Sequence, residues 1–216
     1  MLTDWGKQIV GILAGKHLSI DGKQLRGTRP SGCKQANVQI VSIWAEGEQM
    51  CLAQGQIDQK TNEIKAIPQV LAPLDITGSI VTIDAIGCQK AITELIVDTK
   101  KADYVIGLKA NQDGLYEQVV AHFERVSPGL PTAVSRDLGH GRGEKRTVMV
   151  SEDLTFVDAA QGWVGLRSVV YVEAIRWTKG KEEHSKRFYI SSLVGCSAAR
   201  MGGHIRRHRF GGPMEY

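Results

Sequence analysis

The sequence predicts an α/β fold, a mixed sheet with flanking helices and a β-rich segment toward the C-terminus. Three observations predict it. Short apolar runs of β-type residues (Leu18-Ser-Ile, Ser79-Ile-Val-Thr-Ile, Tyr104-Val-Ile-Gly-Leu) alternate with stretches whose apolar residues recur at helical spacing. The second and third of these runs are apolar almost without interruption, as strands covered on both faces are. Beyond residue 127 the helical spacing stops and period-two alternation takes over, clearest in Val170-Tyr-Val-Glu-Ala-Ile-Arg-Trp. With 216 residues, 42% of them hydrophobic and 23% charged, the chain can bury a substantial core.

Taken in order, Trp5, Ile9, Val10 and Leu13 share one face of a short helix. Leu18-Ser-Ile-Asp is a brief strand, and Val38–Ala45 and Cys51–Ile57 follow as β-runs separated by the polar turn Glu46-Gly-Glu-Gln, so the three form an antiparallel meander. A helix opens near Thr61 or Asn62, either of which suits an N-cap, and carries Ile64, Ile67, Val70 and Leu71 on one side; Pro68 is expected near its first turns, where a missing donor costs little. Ser79–Asp84 is a strand, Gln89–Lys100 a helix with Ile92, Leu95, Ile96 and Thr99, and Asp103–Lys109 a strand again. Gly114–Arg125 is helical through Leu115, Val119, Val120 and Phe123. The Pro/Gly-rich Ser127-Pro-Gly-Leu-Pro then introduces three β-segments, Lys145–Val150, Ser168–Ile175 and Arg187–Leu193.

The formal charge of +4 suits a polyanionic partner without demanding one. Cys33, Cys51, Cys88 and Cys196 are scattered, with no C-x-x-C pair, so neither a zinc site nor a disulfide framework is signalled, and free thiols in a reducing cytoplasm are expected. The N-terminus has no basic-then-apolar leader pattern, and no segment reaches the ~18 apolar residues of a membrane span.

Asp21, in His17-Leu-Ser-Ile-Asp-Gly-Lys, and Asp84, in Ile80-Val-Thr-Ile-Asp-Ala-Ile-Gly, each stand where an apolar strand runs into a glycine-containing turn. Either alone is an ordinary turn residue, since Asp tolerates such turns. The β-β-β-α-β-α-β order changes this, because it is the layout of an RNase H-like fold, in which the first and fourth strands are neighbours. Two carboxylates that close repel one another, and a hard divalent cation with oxygen ligands, Mg²⁺ or Mn²⁺, is the natural relief. No G-x-x-x-x-G-K-[ST] loop is present, which removes P-loop nucleotide hydrolysis.

Six ordered motifs sharpen this reading: Ile20-Asp-Gly-Lys-Gln-Leu-Arg-Gly, Gln59-Lys-Thr-Asn-Glu-Ile-Lys-Ala-Ile-Pro, Val81-Thr-Ile-Asp-Ala-Ile-Gly-Cys-Gln, Asp103-Tyr-Val-Ile-Gly-Leu-Lys-Ala-Asn-Gln, His140-Gly-Arg-Gly-Glu and Arg187-Phe-Tyr-Ile-Ser-Ser-Leu. Together they resemble the H-repeat-associated (Rhs-linked) insertion-sequence transposases of the DDE superfamily. The resemblance implies metal-dependent DNA strand cleavage and transfer, with Asp21 and Asp84 as the first two carboxylates of an Asp-Asp-Glu set. It also implies partners: the element's terminal repeats, target DNA and a second copy of the chain. Residues 1–15 are then read as a residual N-terminal helix, 16–126 as the catalytic core, 127–195 as a β-rich insertion, and 196–216 as an aberrant basic tail in place of the last catalytic helix. The tail departs from the family pattern. Aligned on Arg207-His208, the family's glutamate falls on Gly212, and Glu215 follows only after Pro213. The expectation is an incomplete copy lacking the catalytic Glu. One alternative is an inactive DNA-binding or interfering remnant; another is an RNase H-like nuclease completed by Asp113 or Glu117.

Lys23, Arg26 and Arg29, beside Asp21, are candidate phosphate contacts, as are His140 and Arg142 in their glycine-rich motif; a solvated turn accounts for either group equally well. Lys109, Asn111 and Gln112 follow the strand after Asp84 and face the same edge. The tail cluster Arg200, His204, Arg206, Arg207, His208 and Arg209 is the densest run of cations. Cys88 has no histidine base placed beside it and reads as a buried thiol. Trp44, Trp163 and Trp177 read as core or strand-edge aromatics.

Overall fold

A computed structural model describes residues 13–24, 39–47, 50–57, 63–139, 142–178 and 180–208. The helix expected over Trp5–Leu13 therefore lies almost wholly outside the described residues, as do Arg26, Arg29, Cys33, His140, Arg209, Gly212 and Glu215. Among the described residues nine strands form one sheet: β1 (His17–Gln24), β2 (Gln39–Ala45), β3 (Met50–Ile57), β4 (Ile80–Ile83), β5 (Asp103–Leu108), β6 (Thr132–Gly139), β7 (Arg142–Ser151), β8 (Ser168–Thr178) and β9 (Lys181–Ser191). Their order is β3-β2-β1-β4-β5-β9-β8-β7-β6. β1, β4 and β5 are parallel neighbours and every other pair is antiparallel.

The four described α-helices are α1 (Glu63–Leu71), α2 (Lys90–Glu94, prolonged by a π-helical stretch over Leu95–Thr99), α3 (Asp113–Val126) and α4 (Ala198–His208). Pro68 lies inside α1, in its second turn. Its carbonyl still accepts from the Ala72 N–H at 2.9 Å, so the helix closes normally beyond it. Strand alternation sorts the core. Leu18, Ile20, Val81, Ile83, Tyr104 and Ile106 pack with residues of α1, α2 and α3 on one side of the sheet. Val105, Val148, Val150, Val170 and Val172 pack on the other side with Met201 and Ile205 of α4.

The β-rich segment continues the sheet, because β9 pairs directly with β5 (Val105↔Ser191 to Leu108↔Phe188). All four of its strands exceed the sequence expectation: β6 is additional, β7 and β8 run beyond Lys145–Val150 and Ser168–Ile175, and β9 begins at Lys181 rather than Arg187. The segment read as an aberrant tail from 196 onward is helical over Ala198–His208 and buries Ala198, Met201, His204 and Ile205. That i, i+3, i+4 spacing is an amphipathic face, which outweighs the low helix propensity of Gly202-Gly203.

Candidate functional site

The β1–β4 ladder runs in register from His17↔Ile80 to Ile20↔Ile83, so Asp21 and Asp84 are the next residues on adjoining parallel strands, which lie ~4.8 Å apart. Thr82 Oγ1 ties the two strands together by donating to the Leu18 carbonyl at 3.2 Å. Period-two alternation turns His17, Ser19, Asp21 and Lys23 of β1 toward α4, and Thr82 and Asp84 of β4 likewise. α4 docks there through His204, whose ring stacks on that of His17 with centroids 5.5 Å apart and planes inclined by 19°. Both rings are buried. Burial, then the positive ends of His204, Arg207 and His208, hold His17 neutral down to about 3, and burial likewise lowers His204.

Asp21 is half-buried. Burial pushes its carboxyl above the usual carboxylate range; His208 and Lys23 draw it down, the charge of Asp84 pushes it further up, and the Gly22 N–H draws it down again. His208, the last residue of α4, thus stands within electrostatic reach of Asp21. Asp84 is extended (φ −73°, ψ 178°) and caps a 3-10 turn, Ala85–Gly87, its Oδ1 accepting from the Ile86 N–H at 3.0 Å.

That turn is held from three sides. Asn111 Nδ2 donates to the Ala85 carbonyl at 2.9 Å and Gln112 Nε2 to the Cys88 carbonyl at 2.8 Å. Gly107 of β5 lies against it, so that a Cβ there would be 3.0 Å from the Ala85 N and 3.4 Å from the Asp84 carbonyl carbon. These residues position Asp84 without reaching past it.

Beside Asp84 a cavity of about 280 Å³ opens, lined also by Gly107, Lys109, Tyr116, Lys186, Arg187 and His208. Among the residues singled out from the sequence, the register sets Asp21 beside Asp84, Lys23 lies within electrostatic reach of Asp21, and Lys109 lines the cavity with Asp84. The structure does not bring Arg142 there, since its backbone pairs with Gly139 and Thr178 at the far end of β7. Glu144 of the same motif is engaged by Arg146 and by Arg176, whose Nε lies 3.0 Å away. Asp113 and Glu117 are exposed on α3 and do not line the cavity. Cys88 is buried and its thiol is pushed up to about 12, as an inert core thiol should be. Sequence reasoning missed Lys186 and His208 as site residues. Lys186 lay in a charged run with no apolar alternation, and His208 was read as tail. Among the described residues no group of three or more His, Cys, Asp or Glu side chains is arranged to hold a metal ion. Two hard carboxylates side by side on adjoining strands, that of Asp21 raised chiefly by burial, nevertheless fit Mg²⁺ or Mn²⁺ better than a softer ion.

β1 runs on through Asp21 to Gln24, where the sequence predicts a turn, because β2 pairs with it that far; only Asp84 follows a strand end. A parallel β1-β4-β5 core with a β-meander on one edge and acids side by side on β1 and just past β4 is an RNase H-like arrangement. A solved relative in shape, the piggyBac transposase synaptic complex with hairpin DNA, superposes with a TM-score of 0.51 at 15% identity, over 92% of this chain and 39% of that one, and shows the fold. By sequence, the chain is 34% identical over 215 residues to YncI of Escherichia coli O157:H7, provisionally named a transposase, matching 96% of this chain and 55% of YncI. It is 32% identical over 199 residues to YhhI of Escherichia coli, provisionally named an H repeat-associated transposase, matching 88% of this chain and 52% of that protein. An uncharacterized protein in the dhlA 3′ region of Xanthobacter autotrophicus is 35% identical over 179 residues, 81% of this chain and 59% of that one. No family model matches the sequence. The chain is a relative of the H-repeat-associated transposases, and it spans little more than half the length of these relatives. No described helix is long and apolar enough to cross a membrane.

Proposed function

We propose that this chain carries the core of a DNA transposase, a bacterial cytoplasmic protein of the DDE type in which Asp21 and Asp84 hold divalent ions, Mg²⁺ or Mn²⁺. The observation that carries the reading is the register that makes these two carboxylates neighbours on one face of the sheet. Bound there, a divalent ion supplies charge neutralisation at the scissile phosphate and activation of the attacking oxygen. The protein's own part is positional. The Asn111 and Gln112 clamps and the close approach of Gly107 fix Asp84, while burial beneath α4 fixes Asp21. Residues 16–126 form the catalytic core in this reading and 127–195 the insertion, and the substrates are the element's terminal repeats and target DNA.

A second reading is favoured by Gly212, which stands where the family's third carboxylate falls: an incomplete copy that binds DNA without cutting it. One assay separates the two. Strand cleavage and joining on the element's terminal repeats is followed with Mg²⁺ or Mn²⁺, for the chain as it stands and for a version with a restored glutamate-bearing tail. Product from the chain as it stands, abolished by Asp84→Ala, establishes an active transposase. Product only after restoration establishes the incomplete copy, and no product from either refutes the strand-cleaving reading.

A further inference from the structure

Strand β9 outruns its partner. β5 ends at Leu108 opposite Phe188, whereas β9 begins at Lys181, so Lys181–Arg187 pairs with β8 on one side and with no described strand on the other. At ~3.4 Å per residue this free edge projects roughly 20 Å beyond the end of β5. The step where β5 stops is the cavity that Asp84 borders. Lys186 and Arg187 stand on its wall, and as consecutive strand residues they point to opposite faces and straddle the edge. Lys109 leaves the end of β5 on the near side.

These cations differ from the other basic side chains nearby. Arg146 and Arg176 are held by Glu144, and Arg206 by Asp137 at 2.6 Å. Lys109, Lys186 and Arg187 are exposed, and their side chains make no hydrogen bond or ion pair with the described residues. Three uncompensated cations around a notch floored by a carboxylate are what a polyanionic strand needs to lie beside that carboxylate.

We propose that the free edge of β9 is a groove for the DNA backbone flanking the scissile phosphate, with Lys186 and Arg187 as phosphate contacts on the far wall and Lys109 on the near one. This rests on the strand-cleaving reading of Asp21 and Asp84, but its test is run without metal. Fluorescence anisotropy of a labelled duplex is measured in EDTA across a salt series for four proteins: the natural chain, Lys186→Ala/Arg187→Ala, the charge-preserving Lys186→Arg/Arg187→Lys, and a charge-matched control, Lys101→Ala/Arg167→Ala. The alanine pair is expected to bind about tenfold more weakly at low salt and to reduce the slope of log K against log salt by about 1–2, close to one per lost phosphate contact. The swapped pair should keep the natural slope and the control the natural affinity, with all four melting alike. An alanine pair with the natural affinity and slope, or one no weaker than the control, overturns the groove; so does a natural chain that does not bind DNA. Failure of ion binding by Asp21 and Asp84 would leave the anisotropy result unchanged, so the two ideas fail separately.

Discussion

Replacing Gly107 by alanine should damage the site through the backbone of the Asp84 turn. The added methyl would stand 3.0 Å from the Ala85 N, 3.4 Å from the Asp84 carbonyl carbon and 3.5 Å from the Ala85 Cα. All three are main-chain atoms, so no side chain can rotate away and the turn itself must yield by a few tenths of an ångström. Overpacking of this kind costs about 1–3 kcal/mol. Losing a glycine from the unfolded ensemble returns ~0.4–1 kcal/mol. The net is a destabilisation of about 1–2 kcal/mol, which at roughly 2–4 °C per kcal/mol for a chain of this size lowers Tm by about 2–8 °C. Displacing a ligand's support typically weakens an ion about 10-fold or more, so Mn²⁺ affinity should fall with stability. Gly202→Ala is the control. Its nearest obstacle is Val148 Cγ2 at 3.0 Å, a side-chain methyl that can turn, and alanine suits the interior of α4 better than glycine does. Melting curves and calorimetric Mn²⁺ titrations of both variants decide the matter. A Gly107→Ala protein with the natural Tm and Mn²⁺ affinity would refute the reasoning.

The stacked His17–His204 pair predicts acid sensitivity. The unfolded chain takes up a proton at His17 near pH ~6.5, the folded one only near 3, so between those values the unfolded state holds more protons and stability falls as pH falls. The loss should reach roughly 3 kcal/mol by pH 4, seen as a falling urea midpoint that His17→Phe flattens; equal pH profiles for the two proteins would refute it. Asp21 carries the opposite sign, because burial raises its carboxyl and its ionised form opposes folding at neutral pH. Asp21→Asn should therefore raise Tm in EDTA while abolishing the stabilisation that Mn²⁺ gives the natural chain, and a lowered Tm in EDTA would count against it. Asn111→Ala removes the 2.9 Å bond to the Ala85 carbonyl and should cost about 1 kcal/mol along with Mn²⁺ affinity, measured by melts with and without the ion.

Asp21 and Asp84 were legible because each ends an apolar run, and the element order alone made them neighbours. What the sequence concealed has physical causes. β6 is exposed along nearly all its length, with Leu138 89% exposed, so its place comes from the ladder to β7 and no apolar alternation marks it. The first half of β9, Lys-Glu-Glu-His-Ser-Lys, reads as a solvated run and is a strand because β8 pairs with it residue by residue. α4 was obscured by Gly202-Gly203 and its arginines, although Met201, His204 and Ile205 mark the buried stripe. The role of Gly107 had no signal in the sequence at all, since it depends on a turn from another strand folding against it. Asn111 and Gln112 do lie at the edge the sequence predicts, but their side chains hold the Asp84 loop and do not line the cavity beside it.

Direct binding of Mn²⁺ to the metal-free chain, compared with Asp21→Ala and Asp84→Ala, tests the shared carboxylate site most simply. The account predicts that the natural protein binds the ion, that its Tm rises with Mn²⁺ concentration, by about 2.7 kcal/mol of stability at a hundredfold excess over Kd, and that either substitution alone removes both effects. Undiminished Mn²⁺ binding in either single variant would contradict a site shared by Asp21 and Asp84.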